Sequence, residues 1–159
     1  MKTMADAFIP LFERDLNALI KNLNAYEHEG DIWIIDEDIK NSAGNLALHL
    51  IGNLRHFVGH IIGGTTYHRQ RDLEFGSKHI DREEIIKEIE ITIEEVKAAM
   101  HHVTEEAFFS TFPINVFGHE MTTGYFITHL FGHLNYHLGQ INYHQRLLGH
   151  KPVGWEKDA

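Results

Sequence analysis

Apolar residues recur at threes and fours over 3–26, where Phe8, Leu11, Phe12, Leu16, Leu19, Ile20 and Leu23 fall on one helical face. The spacing predicts an amphipathic helix. Thr3 followed by Asp6 resembles a capping box, with a carboxylate near the positive end of the helix dipole. The period is lost over 27–40, where Gly30 and scattered acids surround Ile32-Trp33-Ile34-Ile35. That stretch reads as a loop that tucks an aromatic anchor into the core.

Ser42 is placed to cap a second helix that reaches Ile62 and stops at Gly63-Gly64, where left-handed backbone is easy. Residues 65–80 are polar, contain Gly76 and hold no sustained period, which predicts a connection. Asp81 with Glu84 opens a third helix, in which Ile85, Ile86, Ile89, Ile93, Val96 and Met100 form one stripe. Glu88, Glu90, Glu94 and Glu95 lie largely off that stripe and read as a solvated face. Residues 106–121, with Phe108, Phe109, Phe112, Pro113 and Gly118, read as an irregular aromatic-rich loop. A fourth helix is expected from Thr122 or Thr123 to Leu148, with Gly149 just past its end and Pro152 beyond. Four helices without a competing strand pattern predict an all-α protein, a four-helix bundle with long connections that permit departure from simple up-and-down order.

Composition narrows the chemistry. The 159 residues carry a formal charge of −9, which argues against nucleic acid as a partner because phosphate neutralisation needs clustered cations. The absence of Cys excludes disulfides, thiolate metal sites and a cysteine nucleophile, leaving nitrogen and oxygen as ligand atoms. The first residues lack the apolar run of a secretory leader, and no stretch approaches the roughly 18 apolar residues of a membrane span. A cytoplasmic protein with no membrane partner is the expectation.

The chain holds 14 His, a large excess of the commonest metal ligand, and they are not gathered in a terminal tag. On the second helix His49, Asn53, His56 and His60 fall within about 60° of arc at 100° per residue. On the fourth, His129, His133, His137, Gln140 and His144 fall within about 80°. Each stripe is flanked by apolar residues and so borders the core, where polar groups need partners. His separated by four residues can chelate one ion. His56 with His60, His129 with His133, and His133 with His137 all satisfy that spacing, so spacing alone selects no ligand set. His119-Glu120 lacks the second His of a zincin, because Thr123 stands there. Neither the Glu-x-x-His repeats of a di-iron bundle nor the carboxylates of a hemerythrin-like site accompany the stripes. An all-His mononuclear centre with open positions survives.

His133-Leu134-Asn135-Tyr136-His137-Leu138-Gly139-Gln140-Ile141, followed by Arg146-Leu147-Leu148-Gly149, resembles the end of the last helix in the DinB-like (damage-inducible) superfamily. Asn41 to Leu54, with His49 within it, is similar to the start of that family's second helix. The resemblance spans essentially the whole chain and implies a single DinB-like domain over 1–159. It also implies a divalent ion, Zn²⁺, Ni²⁺ or Fe²⁺, on His49, His133 and His137. Leu138 departs from the pattern, replacing the Arg that usually precedes Gly-Gln. His129, one turn before His133, is a candidate fourth ligand or supporting group, and His56, His60, Asn53 and Gln140 are further supporting candidates. Characterised relatives include transferases and isomerases that use low-molecular-weight thiols, so the resemblance implies a metal-dependent S-transferase acting on a small molecule. A metal-dependent hydrolase and a non-catalytic, stress-associated metal-binding protein are the alternatives. The apolar surplus on the helices and the family's habit of pairing bundles add the expectation of a homodimer.

Overall fold

In a computed structural model that describes residues 3–36, 38–151 and 153, the chain is mostly helical. Among the described residues there are six α-helices: α1 (Phe8–Asn24), α2 (Ala43–Leu54), α3 (Arg71–Gly76), α4 (Arg82–His101), α5 (Glu105–Phe109) and α6 (Thr123–Leu147). Extended pairing among the described residues is limited to one isolated bridge between Thr111 and Thr122. The four long helices match the expected ones closely. A 3₁₀ turn over Ala5–Ala7 precedes α1, and the capping box forms only in half, with the Thr3 amide donating to Asp6 Oδ2 at 2.7 Å.

The chain's own punctuation sets the helix ends. Ser42 Oγ accepts from the Asn45 amide at the start of α2, and Thr122 Oγ1 from the Tyr125 amide at the start of α6. Gly149 adopts φ 81°, so the His150 amide reaches the Gln145 carbonyl and the Gly149 amide that of Arg146, closing α6 with a Schellman motif. Pro152 lies outside the described residues. Asp81 precedes α4, but its side chain makes no capping bond.

Four expectations need correction. The second helix reaches Ile62 as expected, but from Arg55 it continues as a π-helix. Bonds spanning five residues, such as Gly63 amide to Val58 carbonyl, widen its turns. The 100°-per-residue arithmetic therefore fails beyond Leu54. The polar connection over 65–80 contains α3, and α5, capped by Thr104, runs into the aromatic stretch over 106–121. The α4 glutamates are not uniformly solvated, because Glu88 and Glu95 both grip Arg55 across the bundle.

α1 packs on α4 and α6, and α2 also packs on α4 and α6, so the helices form a ring in the order α1, α4, α2, α6. Side-chain pairs fix their directions. Lys97 meets Glu13 while Arg82 reaches the Leu23 and Tyr26 carbonyls, so α4 runs antiparallel to α1. Asn135 meets Asp15 and Asn142 meets Asn22, so α6 runs parallel to α1. The Phe57–Phe126 and His49–His133 ring pairs make α6 antiparallel to α2. α2 and α4 are consequently parallel neighbours, and the chain between them must travel back along the bundle. That return leg carries α3 down the outside of α2.

The core is filled from all four long helices, with Phe12, Leu16, Leu54, Ile89, Phe126 and Leu130 nearly inaccessible to solvent. The loop anchor enters as expected: Ile32 and Trp33 are buried, and the Trp33 ring lies on Gly44. A Cβ at Gly44 would come within 2.7–2.8 Å of the indole carbons. Gly44→Ala is therefore expected to overpack this contact and cost about 1–3 kcal/mol in urea unfolding. An unchanged unfolding midpoint would show that Trp33 does not depend on the missing side chain.

Candidate metal centre

His49 lies in the middle of α2, 7% exposed, facing the half-buried His133 and His137 of α6. His133 Nε2 is 3.2 Å from His49 Nε2 and 3.1 Å from His137 Nε2. The rings meet edge-on, with interplanar angles of 75°, 89° and 85°. Three imidazoles thus turn one nitrogen each toward a shared point.

The other ring nitrogens show which tautomers are held. His49 Nδ1 lies 2.9 Å from Glu74 Oε2 and 3.3 Å from Arg69 Nη2, and His137 Nδ1 lies 2.6 Å from Gln140 Oε1; a carboxylate and an amide oxygen accept, so in neutral rings these contacts leave both Nε2 atoms with lone pairs. A proton on His133 Nε2 could answer only one of them. His133 Nδ1 is buried without a protein partner. Nitrogens bound to one zinc ion at about 2.1 Å lie roughly 3.0 Å apart at right angles and 3.4 Å apart in a tetrahedron. The two separations fall inside that interval, and the three-His group could hold a metal ion.

Electrostatics favour the neutral rings that ligation requires. Burial, reinforced by His137, His49, His129 and Arg69, pushes the His133 pKa down to about 3. Burial also lowers that of His137, opposed by its Gln140 contact and assisted by His49. At Glu74 burial acts upward, but hydrogen bonds from Arg69 and His49 outweigh it and keep the carboxyl below its ordinary range. Arg69 clasps this carboxylate with two bonds, Nε to Oε1 at 2.7 Å and Nη2 to Oε2 at 2.9 Å.

Of the supporting candidates, Gln140 touches a cluster histidine. His129 is exposed, its ring 6.2 Å from that of His133 and flanked by Phe117 and Phe126, and it does not join the group. His60 Nδ1 engages the Thr65 carbonyl. His56, stacked on His60, has a buried Nδ1 without a partner, and Asn53 has an unpartnered buried Oδ1. His144 is a core residue, held between the Tyr26 hydroxyl at 2.7 Å and the Ile34 carbonyl at 2.9 Å. Leu138, where the family pattern has Arg, is buried in the core. The cation beside the cluster is Arg69 instead. Sequence reasoning missed Arg69 and Glu74 because both lie on the stretch read as a plain connection. Their only signal was a basic and an acidic residue five apart in a segment that had to run back along α2.

The model of the family described as a protein of unknown function (DUF1572) matches residues 7–156. No curated protein matches the chain. A crystal structure of a DinB-like protein from Bacillus cereus ATCC 10987 is similar over 98% of this chain and 99% of that one, with 18% identity and a TM-score of 0.74. At that identity the likeness concerns the fold, which the two share from end to end. The chain belongs to the DUF1572 family, a DinB-like family.

Proposed function

We propose that His49, His133 and His137 hold one divalent ion, Zn²⁺, Ni²⁺ or Fe²⁺, and that the protein is a metal-dependent enzyme of a single domain, a thiol-dependent S-transferase. The convergence of three Nε2 atoms, two of them held as acceptors by partners on Nδ1, carries the metal assignment. A divalent ion on three neutral imidazoles keeps its positive charge and favours an anionic group such as a thiolate or hydroxide. The chain's own contribution is to hold His133 and His137 neutral by burial and to aim His49 through Glu74 and His137 through Gln140. The preference for a thiol rests on the DinB-like resemblance.

Untagged protein is expected to bind about one equivalent of zinc, and His49→Ala, His133→Ala and His137→Ala are each expected to weaken binding by more than about 100-fold while circular dichroism stays helical. One tightly held equivalent in both α6 variants would refute the assignment. Metal-loaded protein is further expected to bind small thiols more tightly than their oxygen analogues, and His133→Ala to lose that preference. Metal-dependent turnover indifferent to every thiol would favour the hydrolase. Neither binding nor turnover with a full site would favour the non-catalytic protein.

No helix among the described residues is long and apolar enough to cross a membrane. A homodimer fits the surface of α6. Tyr125, Tyr136, Tyr143 and Leu147 are 59%, 65%, 70% and 71% exposed and fall within about 40° of arc. Gly132 and Gly139 interleave with them, and a Cβ at either would meet nothing within 4 Å. Light scattering should return twice the 18.4 kDa chain mass, and Tyr136→Glu with Tyr143→Glu should halve it. A wild-type value of one chain mass across micromolar concentrations would contradict the pairing.

A further inference from the structure

An imidazole has two neutral tautomers, and only the one protonated on Nδ1 offers its Nε2 lone pair to the cluster. We propose that Glu74, clamped by Arg69, is the positioning residue that holds His49 in that tautomer and at that angle. This inference rests on the three-histidine metal reading. The three rings are supported unequally. His137 leans on an exposed, neutral amide, and His133 Nδ1 has no protein partner. Among the described residues His49 alone of the three contacts a carboxylate, and that carboxylate is 5% exposed.

Glu74 is held from every side. Asn45 Nδ2 donates to the Glu74 carbonyl at 3.0 Å and to the Ser77 carbonyl at 2.9 Å, pinning the backbone of α3. Ser42 Oγ fixes the Asn45 amide by donating to its Oδ1 at 2.7 Å. The helix cap of α2 is thereby tied to the segment that supplies the carboxylate. Arg69 uses both arms of its fork on Glu74, and its guanidinium lies 5.7 Å over the Phe57 ring, so the carboxylate cannot swing without breaking two charge-assisted bonds.

Gly52 completes the arrangement. A Cβ there would sit 2.1 Å from Glu74 Oε1 and 2.7 Å from its Cδ, so the carboxylate occupies space that any other residue on α2 would fill. Gly52 is in ordinary helical backbone, where glycine costs about 1 kcal/mol relative to alanine. Its presence is explained by the approach of Glu74. Carboxylates behind ligating histidines fix ring orientation and raise ligand basicity, and their loss costs about 10–100-fold in metal affinity.

The test compares Glu74→Ala, Glu74→Gln and Gly52→Ala by two readouts. Zinc affinity is taken from competition with a chelator, and the His49 tautomer from two-bond ¹H–¹⁵N NMR of metal-free protein. Gly52→Ala is the sharper variant, since it leaves Glu74, Arg69 and His49 in the chain and moves only the carboxylate. Wild-type His49 should be protonated on Nδ1. Glu74→Ala and Gly52→Ala should lose that single tautomer and bind zinc about 10–100-fold more weakly, with Glu74→Gln in between because its amide oxygen can still accept. Should Glu74→Ala fail to fold, the other two variants decide. Wild-type tautomer and affinity in the variants that fold would overturn the proposal. If wild-type protein binds no zinc, the metal reading fails, while the metal-free tautomer still decides whether Glu74 positions His49.

Discussion

His133 Nε2 lies within 3.2 Å of two other imidazole nitrogens whose protons are committed elsewhere, so the space between the rings collects lone pairs that ring protons cannot all answer. In water this crowding would be relieved by solvent. Here burial holds His133 and His137 neutral and limits relief, and a cation is a partner that would satisfy all three rings at once. The neutral rings, the carboxylate behind one of them and the glycine that admits it are consistent with that single requirement.

Topology explains why these particular groups meet. Because α2 and α4 are parallel neighbours, the residues between them retrace α2 from its end to its start. Thr65 sits beside His60, Glu74 beside His49 and Gly52, and Ser77 beside Asn45. A simple up-and-down bundle would turn directly from α2 into an antiparallel neighbour, with no such segment to deliver Glu74. The antiparallel meeting of α2 and α6 brings His49 opposite His133, while Phe57 against Phe126 closes the next layer with apolar rings.

Periodicity made the four long helices legible, since each buries a stripe against the ring of neighbours, and Ser42, Thr122 and Gly149 marked ends where their backbones need them. The two His stripes were equally visible, but their members were not distinguishable by angle. The switch to π-helix at Arg55 carries no hydropathy signal and changes the register on which His56 and His60 were placed with His49. His144 shares the stripe yet pairs with Tyr26, a contact between residues 118 positions apart. Arg69 and Glu74 were hidden for a different reason. A buried ion pair has the same composition as an exposed one, and only the return path of the chain shows that this pair is inside.

The most direct measurement is X-ray absorption at the metal edge of zinc-loaded, untagged protein. The inner shell should contain nitrogen from three imidazoles, as the convergence of His49, His133 and His137 requires. A shell with fewer than three imidazoles, or with the Glu74 carboxylate bound to the ion instead of standing behind His49, would contradict the account.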